Sequence, residues 1–180
     1  MNTYKLKFTR LQNEIFNLFC IKAGESLNKR QISKLLKVSP TAVAKSLPLL
    51  EKEGLIRVNK GKEINLDYVE LDRNQRTMLL KRTENLKLMY QSGLLEFLEE
   101  KFPGTTIILF GSYSRGEDTI KSDIDIAIIE GKEKDVDLKK YDETLEREIR
   151  INFYPSFKEI HKYLRENIFN GIVLAGGIKL

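Results

Sequence analysis

Two aspartates one residue apart, Asp123 and Asp125, sit at the head of the apolar run SDIDIAII, residues 122–129. Such a run reads as a buried strand, and on a strand residues two apart project from the same face. Both carboxylates therefore point together while Ile124 and Ile126 face the other way. Two like charges held this close repel, and burial raises the cost further. A divalent cation removes both objections, and oxygen ligands suit Mg²⁺ or Mn²⁺. Upstream, TTIILF (105–110) is a second short apolar strand that stops at Gly111-Ser112. Glycine lets a phosphate approach the backbone, and the turn or helix opened by YSRGEDT offers free amides, the Ser112 hydroxyl and Arg115 to an anion. A phosphate-gripping turn beside paired carboxylates is the equipment of nucleotide chemistry.

The residues Gly111, Ser112, Arg115, Gly116, Ser122, Asp123 and Asp125 resemble the signature of the DNA polymerase β-like nucleotidyltransferases, and within them the minimal nucleotidyltransferase group. The likeness spans roughly residues 104–154. It implies a small α/β core with a mixed sheet, a nucleoside triphosphate bound with two metal ions, and transfer of a nucleoside monophosphate to a hydroxyl with release of pyrophosphate. ATP is the expected nucleotide. On this resemblance Gly111, Ser112, Arg115 and Ser122 bind nucleotide, and Asp123 and Asp125 hold Mg²⁺ or Mn²⁺. The superfamily usually adds a third carboxylate from a later strand, where it helps activate the attacking hydroxyl. Here that strand is EIRINFYP (148–155), whose centre carries Arg150 and Asn152; Glu148 is the one acid of that parity. Either Glu148 completes the catalytic set, or the site binds nucleotide without efficient transfer.

The elements ahead of this motif have a different character. Leu11, Ile15, Leu18 and Phe19 recur at helical spacing and predict a first helix that ends near Ala23-Gly24. Asn28 is placed to cap a second helix with Ile32, Leu35 and Leu36 inward, and Ser39-Pro40 opens a third with Val43, Leu47 and Leu50 inward, closed by Gly54. Next, LIRVNKGKEINLDYVEL alternates on both sides of Asn59-Lys60-Gly61-Lys62, as a hairpin should. Residues 8–71 resemble the winged helix-turn-helix domains of prokaryotic transcription regulators. The resemblance implies double-stranded DNA as a partner, with Thr41, Ala42 and Lys45 near base edges and Lys60 and Lys62 on phosphate. Pro48 departs from the pattern and is expected to kink or shorten the third helix.

Charge divides the chain in the same place. Residues 1–71 hold 13 Lys/Arg against 7 Asp/Glu, a net of +6, whereas residues 72–180 hold 18 against 19, a net of −1. A basic module joined to a near-neutral one fits nucleic-acid binding attached to a separate task. Between them, Met78, Leu79, Leu86, Met89, Leu94, Leu95 and Leu98 predict two helices broken near Ser92-Gly93. The closing residues read as a helix, an apolar strand and a turn at Gly176-Gly177. The expected fold is therefore α+β: a winged helix over 1–71, a helical linker over 72–103 and a nucleotidyltransferase-like domain over 104–180.

One cysteine, Cys20, and one histidine, His161, exclude an internal disulfide and a zinc site built from those residues. No apolar run reaches the roughly 18 residues of a membrane span, and the start MNTYKLKFTR lacks a signal core, so a cytoplasmic protein without a membrane partner is expected. Two functions of different class follow. One is an enzyme that nucleotidylates an acceptor, be it protein, RNA or small molecule. The other is a transcription regulator whose nucleotidyltransferase-like domain senses nucleotide without turnover. A homodimer is open in either case.

Overall fold

The computed structural model describes residues 7–61 and 66–178, and the chain divides into two compact units, Met1–Thr77 and Met78–Leu180. In the first, α1 (Arg10–Ile21), α2 (Lys29–Leu36) and α3 (Pro40–Lys52) pack Ile15, Phe19, Ile32, Val43 and Leu50 into one core, each wholly withdrawn from solvent. Every helix starts where its sequence supplies a cap. Thr9 and Gln12 form a reciprocal capping box on α1, Asn28 and Gln31 form another on α2, and the Ser39 hydroxyl accepts from Ala42 N at 3.1 Å ahead of Pro40.

Strands β2 (Ile56–Lys60) and β3 (Asp67–Leu71) pair antiparallel, and a two-residue strand, β1 (Leu27–Asn28), adds to the far side of β3. Three helices and this small sheet make a winged helix. Two details differ from expectation. Helix α3 runs unbroken through Pro48 to Lys52; the ring is exposed, and the Ala44 carbonyl, which has no N–H partner at Pro48, is on a residue that reaches solvent. Leu35 is exposed instead of inward, because Ile32 and Ser33 take the buried side of α2.

The second unit is a four-stranded sheet in the order β6-β5-β4-β7. Strands β4 (Thr106–Phe110) and β5 (Ile124–Ile129) are antiparallel, as are β4 and β7 (Ile172–Ala175), while β6 (Ile149–Tyr154) lies parallel to β5. The parallel pair needs a crossover, which residues 130–148 supply with α7 (Lys139–Leu145). One face of the sheet, with Ile107, Leu109, Ile124, Ile126, Ile128 and Ile149, shares a core with Leu94 and Leu98 of α5 (Leu94–Lys101) and with Tyr141 and Leu145 of α7. The other face, with Ile108, Phe110, Ala127 and Ile129, packs on Phe157, Ile160 and Ile168, the last from α8 (Lys162–Phe169). With both faces covered, the strands read as continuous apolar runs.

Helix α4 (Gln75–Gln91) ends where Ser92-Gly93 breaks the pattern, and Gly93 takes a left-handed φ of 75°. Of the predicted Met78, Leu79, Leu86 and Met89 stripe, Met89 is buried and Met78 and Leu86 are half-buried. Leu79 is 57% exposed, and the buried positions are Thr77, Lys81, Asn85 and Met89, spaced four apart. The reason is a buried carboxylate. Asp118 Oδ1 receives the Lys81 ammonium and the Asn85 amide, the latter at 2.7 Å, and Oδ2 pairs with Arg147 Nη2 at 3.3 Å. Asn85 also donates to the Tyr113 carbonyl at 2.9 Å. Asp118 thereby ties α4, the segment between β4 and β5, and the approach to β6.

Removing one member of such a cluster leaves buried charge uncompensated. Asp118→Ala is expected to lower stability by about 3–5 kcal/mol in urea denaturation followed by circular dichroism, whereas replacing Lys81, Asp118 and Arg147 together with apolar residues of similar volume should recover most of that loss.

Candidate functional site

Strand β4 delivers the chain to Gly111, whose φ of 75° opens the five-residue helix α6 (Gly111–Arg115). Glycine is needed here for more than its dihedral. A Cβ at this position would lie 2.5 Å from Asp125 Oδ2, so the carboxylate rests directly against the turn. Gly116, which closes α6, is equally constrained: a Cβ there would fall 2.2 Å from the Met78 carbonyl of α4. The G-S-Y-S-R-G segment is thus fitted to the aspartate pair at one end and to α4 at the other.

Asp125 stands near the start of β5 with its Cα opposite Phe110 on β4 and Arg150 on β6. Asp123 precedes the strand, presented by a turn in which Ser122 N donates to the Thr119 carbonyl at 2.9 Å and Thr119 N donates to the Ser122 hydroxyl at 3.0 Å. Ser122 therefore shapes the turn that carries Asp123. Arg115 is drawn elsewhere, to Glu117 at 2.7 Å and to Asn167 Oδ1 of α8 at 3.0 Å.

Arg150 was not among the residues singled out for chemistry, yet it is the centre of the site. Its Nη1 lies 2.7 Å from Asp123 Oδ2, and its Nε and Nη2 each donate to one oxygen of Glu148 at 3.2 Å. Glu148 sits one residue ahead of β6, where its carbonyl accepts from Ile124 N at 2.8 Å. Hydrogen bonding and the charge of Arg150 hold the Glu148 carboxyl below the usual range, which keeps it ionised and makes it a weak base. Asp125 moves the other way: burial first, then the negative charge of Asp123, raise it, with partial relief from Arg150. The Tyr154 phenol, on the same face of β6, is also pushed up by burial and by Asp125.

A groove of about 450 Å³ opens beside Asp123 and Glu148, lined also by Lys121, Asp142, Glu143 and Glu146. Among the described residues no group of three or more His, Cys, Asp or Glu is arranged to hold a metal ion. Two carboxylates are nevertheless what Mg²⁺ takes from a protein when substrate phosphates and water complete its shell. Burial first and the Asp123 charge second raise the Asp125 carboxyl, and a bound cation would offset both. The donor set fits a cation that arrives with its nucleotide.

Residues 92–175 match the nucleotidyltransferase domain family. This segment is a nucleotidyltransferase domain. No curated protein matches the chain. Among solved structures, the adhesin competence repressor AdcR from Streptococcus pyogenes is similar at 22% identity, covering 56% of this chain and 71% of its own, with a TM-score of 0.43. ZitR of Lactococcus lactis, a zinc-responsive MarR family member, is similar at 20% identity over 57% of this chain and 68% of its own, with a TM-score of 0.42. MepR of S. aureus, in a complex with DNA, is similar at 19% identity over 53% and 70%, with a TM-score of 0.41.

In the winged helix, Thr41 and Lys45 are exposed on α3, Ala42 is half-buried, and Lys60 is exposed at the end of β2. Lys62 lies outside the described residues. At the base of the wing Lys29 pairs with Asp67 at 2.5 Å, which holds the Asp67 carboxyl low. No described helix is long and apolar enough to cross a membrane.

The direction of the Asp125 shift gives a pH signature for the nucleotidyltransferase domain. A carboxyl raised on folding costs no stability below its unfolded pKa of about 3.9, and the penalty grows as pH rises through the folded value. Asp125→Asn should therefore raise the thermal midpoint at pH 7 without added metal, and the gain should vanish near pH 3 when melting is followed by circular dichroism.

Proposed function

We propose that the protein transfers a nucleoside monophosphate from a nucleoside triphosphate, ATP being expected, to an acceptor hydroxyl, and that its winged helix binds double-stranded DNA. The observation that supports the reading is the Asp125 carboxylate set against Gly111 with Asp123 beside it, which brings the G-S turn and a pair of candidate cation ligands together. Asp123 and Asp125 would hold Mg²⁺ or Mn²⁺, which when bound neutralises phosphate charge and polarises the α-phosphate. The side-chain-free Gly111 lets the Asp125 carboxylate close on the turn, and the half-buried Ser112 next to it would meet the triphosphate. Glu148 stands where it can accept the acceptor's hydroxyl proton as that oxygen bonds the α-phosphorus and pyrophosphate departs. The acceptor, whether protein, RNA or small molecule, would enter by the groove beside Asp123 and Glu148.

A second reading has one observation in its favour. The grip of Arg150 on both oxygens of Glu148 weakens the candidate base, so the domain would bind nucleotide without turnover and act on DNA as a regulator that senses it. Nucleotide would then change DNA affinity through linkage between the two sites. For the winged helix itself, the exposed Thr41, Lys45 and Lys60 and the +6 charge of residues 1–71 support phosphate and groove contact.

Pyrophosphate release from labelled nucleoside triphosphates with Mg²⁺ and candidate acceptors separates the readings. Transfer should vanish in the Asp123→Asn/Asp125→Asn double variant, and Glu148→Gln should slow it by roughly 10²-fold while sparing nucleotide binding. Absence of release, combined with nucleotide-dependent DNA affinity, would replace the enzyme by the sensor. On DNA, Lys60→Ala should weaken binding and reduce the log–log salt slope by about 0.9; an unchanged slope would remove Lys60 from the interface.

A further inference from the structure

The inference concerns Arg150 and rests on the nucleotide-binding reading above. Two strands bring one guanidinium and three carboxylates to the same end of the sheet. Arg150 is in register with Asp125 on the neighbouring strand, 2.7 Å from an oxygen of Asp123 and doubly bonded to Glu148. The family resemblance would put a third carboxylate on this strand, completing a site for two metal ions. Here the residue opposite Asp125 is a cation, and Glu148 is turned to the guanidinium.

We propose that Arg150 is the resident second cation of the site, so that nucleotide is taken up with a single divalent ion. Electrostatics require this division of labour. A guanidinium is charged at every accessible pH and cannot be displaced by deprotonation. A second divalent ion beside Asp123 would face that fixed charge at ion-pair distance, with Glu148 already committed to it. One divalent ion shared by Asp125 and Asp123, together with the guanidinium, brings three positive charges to the three carboxylates. Arg150 also has the geometry for phosphate. Each terminal nitrogen carries two hydrogens, and each makes one contact to a carboxylate, so a second N–H on either remains for a triphosphate oxygen.

The half-exposed position of Arg150 makes it replaceable without opening the core. The test is a count of bound Mn²⁺, by paramagnetic resonance of the free ion, in the full chain with the α,β-methylene analogues of ATP, GTP, CTP and UTP. One Mn²⁺ per chain is expected in the complex with the preferred analogue. Arg150→Glu, which restores a carboxylate opposite Asp125, should raise the count to two, and Arg150→Lys should keep it at one. Without nucleotide, Arg150→Gln should strengthen Mn²⁺ binding by about two- to fivefold, the range open to a partly exposed ion pair. Two Mn²⁺ per wild-type chain would overturn the proposal and leave the nucleotide-binding reading standing. A count that stays at one in Arg150→Glu would overturn it too, since Arg150 would not then be what excludes the second ion. No nucleotide-dependent Mn²⁺ uptake by wild type, with Asp123→Asn/Asp125→Asn behaving the same, would overturn the underlying reading and the proposal together.

Discussion

Asp118 is a carboxylate with no access to solvent, and the local geometry of the nucleotidyltransferase domain is organised around satisfying it. One oxygen takes Lys81 and Asn85 from α4, the other takes Arg147 from the residues entering β6. An ion in a low-dielectric interior tolerates little displacement of its partners, because each lost contact exposes it to the full desolvation cost. Three segments remote in sequence are thereby held at one point. Tyr113 of α6 joins them through its carbonyl, and Gly116 lets α6 close against the α4 backbone. Arg147 immediately precedes Glu148, so the cluster also sets where the candidate base begins.

From that anchor the end of the sheet that carries the candidate site follows by short steps. Residues 111–116 are held against α4, which places Gly111 beside β5 and the Asp125 carboxylate against it. The Ser122–Thr119 turn then presents Asp123, and the parallel pairing of β5 with β6 brings Arg150 across. Each step uses backbone pairing or a buried contact, so the candidate site rests on regular elements.

The electrostatics of this end differ from what a bare pair of aspartates implies. Burial and then repulsion from Asp123 raise the Asp125 carboxyl, while Asp123 and Glu148 share one guanidinium. Arg150 thus gives the site a partial positive complement of its own. At Asp125 the carboxylate fills the space that a side chain on Gly111 would take.

Local pattern determined much of this protein. Helix caps at Asn28 and Ser39, the breaks at Gly54 and Gly93, and the apolar runs of β4, β5 and β6 depend on neighbours within a few residues, and so were legible in sequence. The same holds for the joint parity of Asp123 and Asp125, since the strand period is local. Only the tertiary structure decided the rest. Helix α4 hides Lys81 and Asn85 and exposes Leu79, because its partner is a carboxylate 37 positions away from Lys81 and hydropathy cannot foresee a buried charge. Strand β1 exists because β3 offers it an edge. The role of Arg150 likewise arises from register: one residue of slip between β5 and β6 would turn it to the opposite face, and that register is set by the packing of two apolar faces, not by any property of the strand alone.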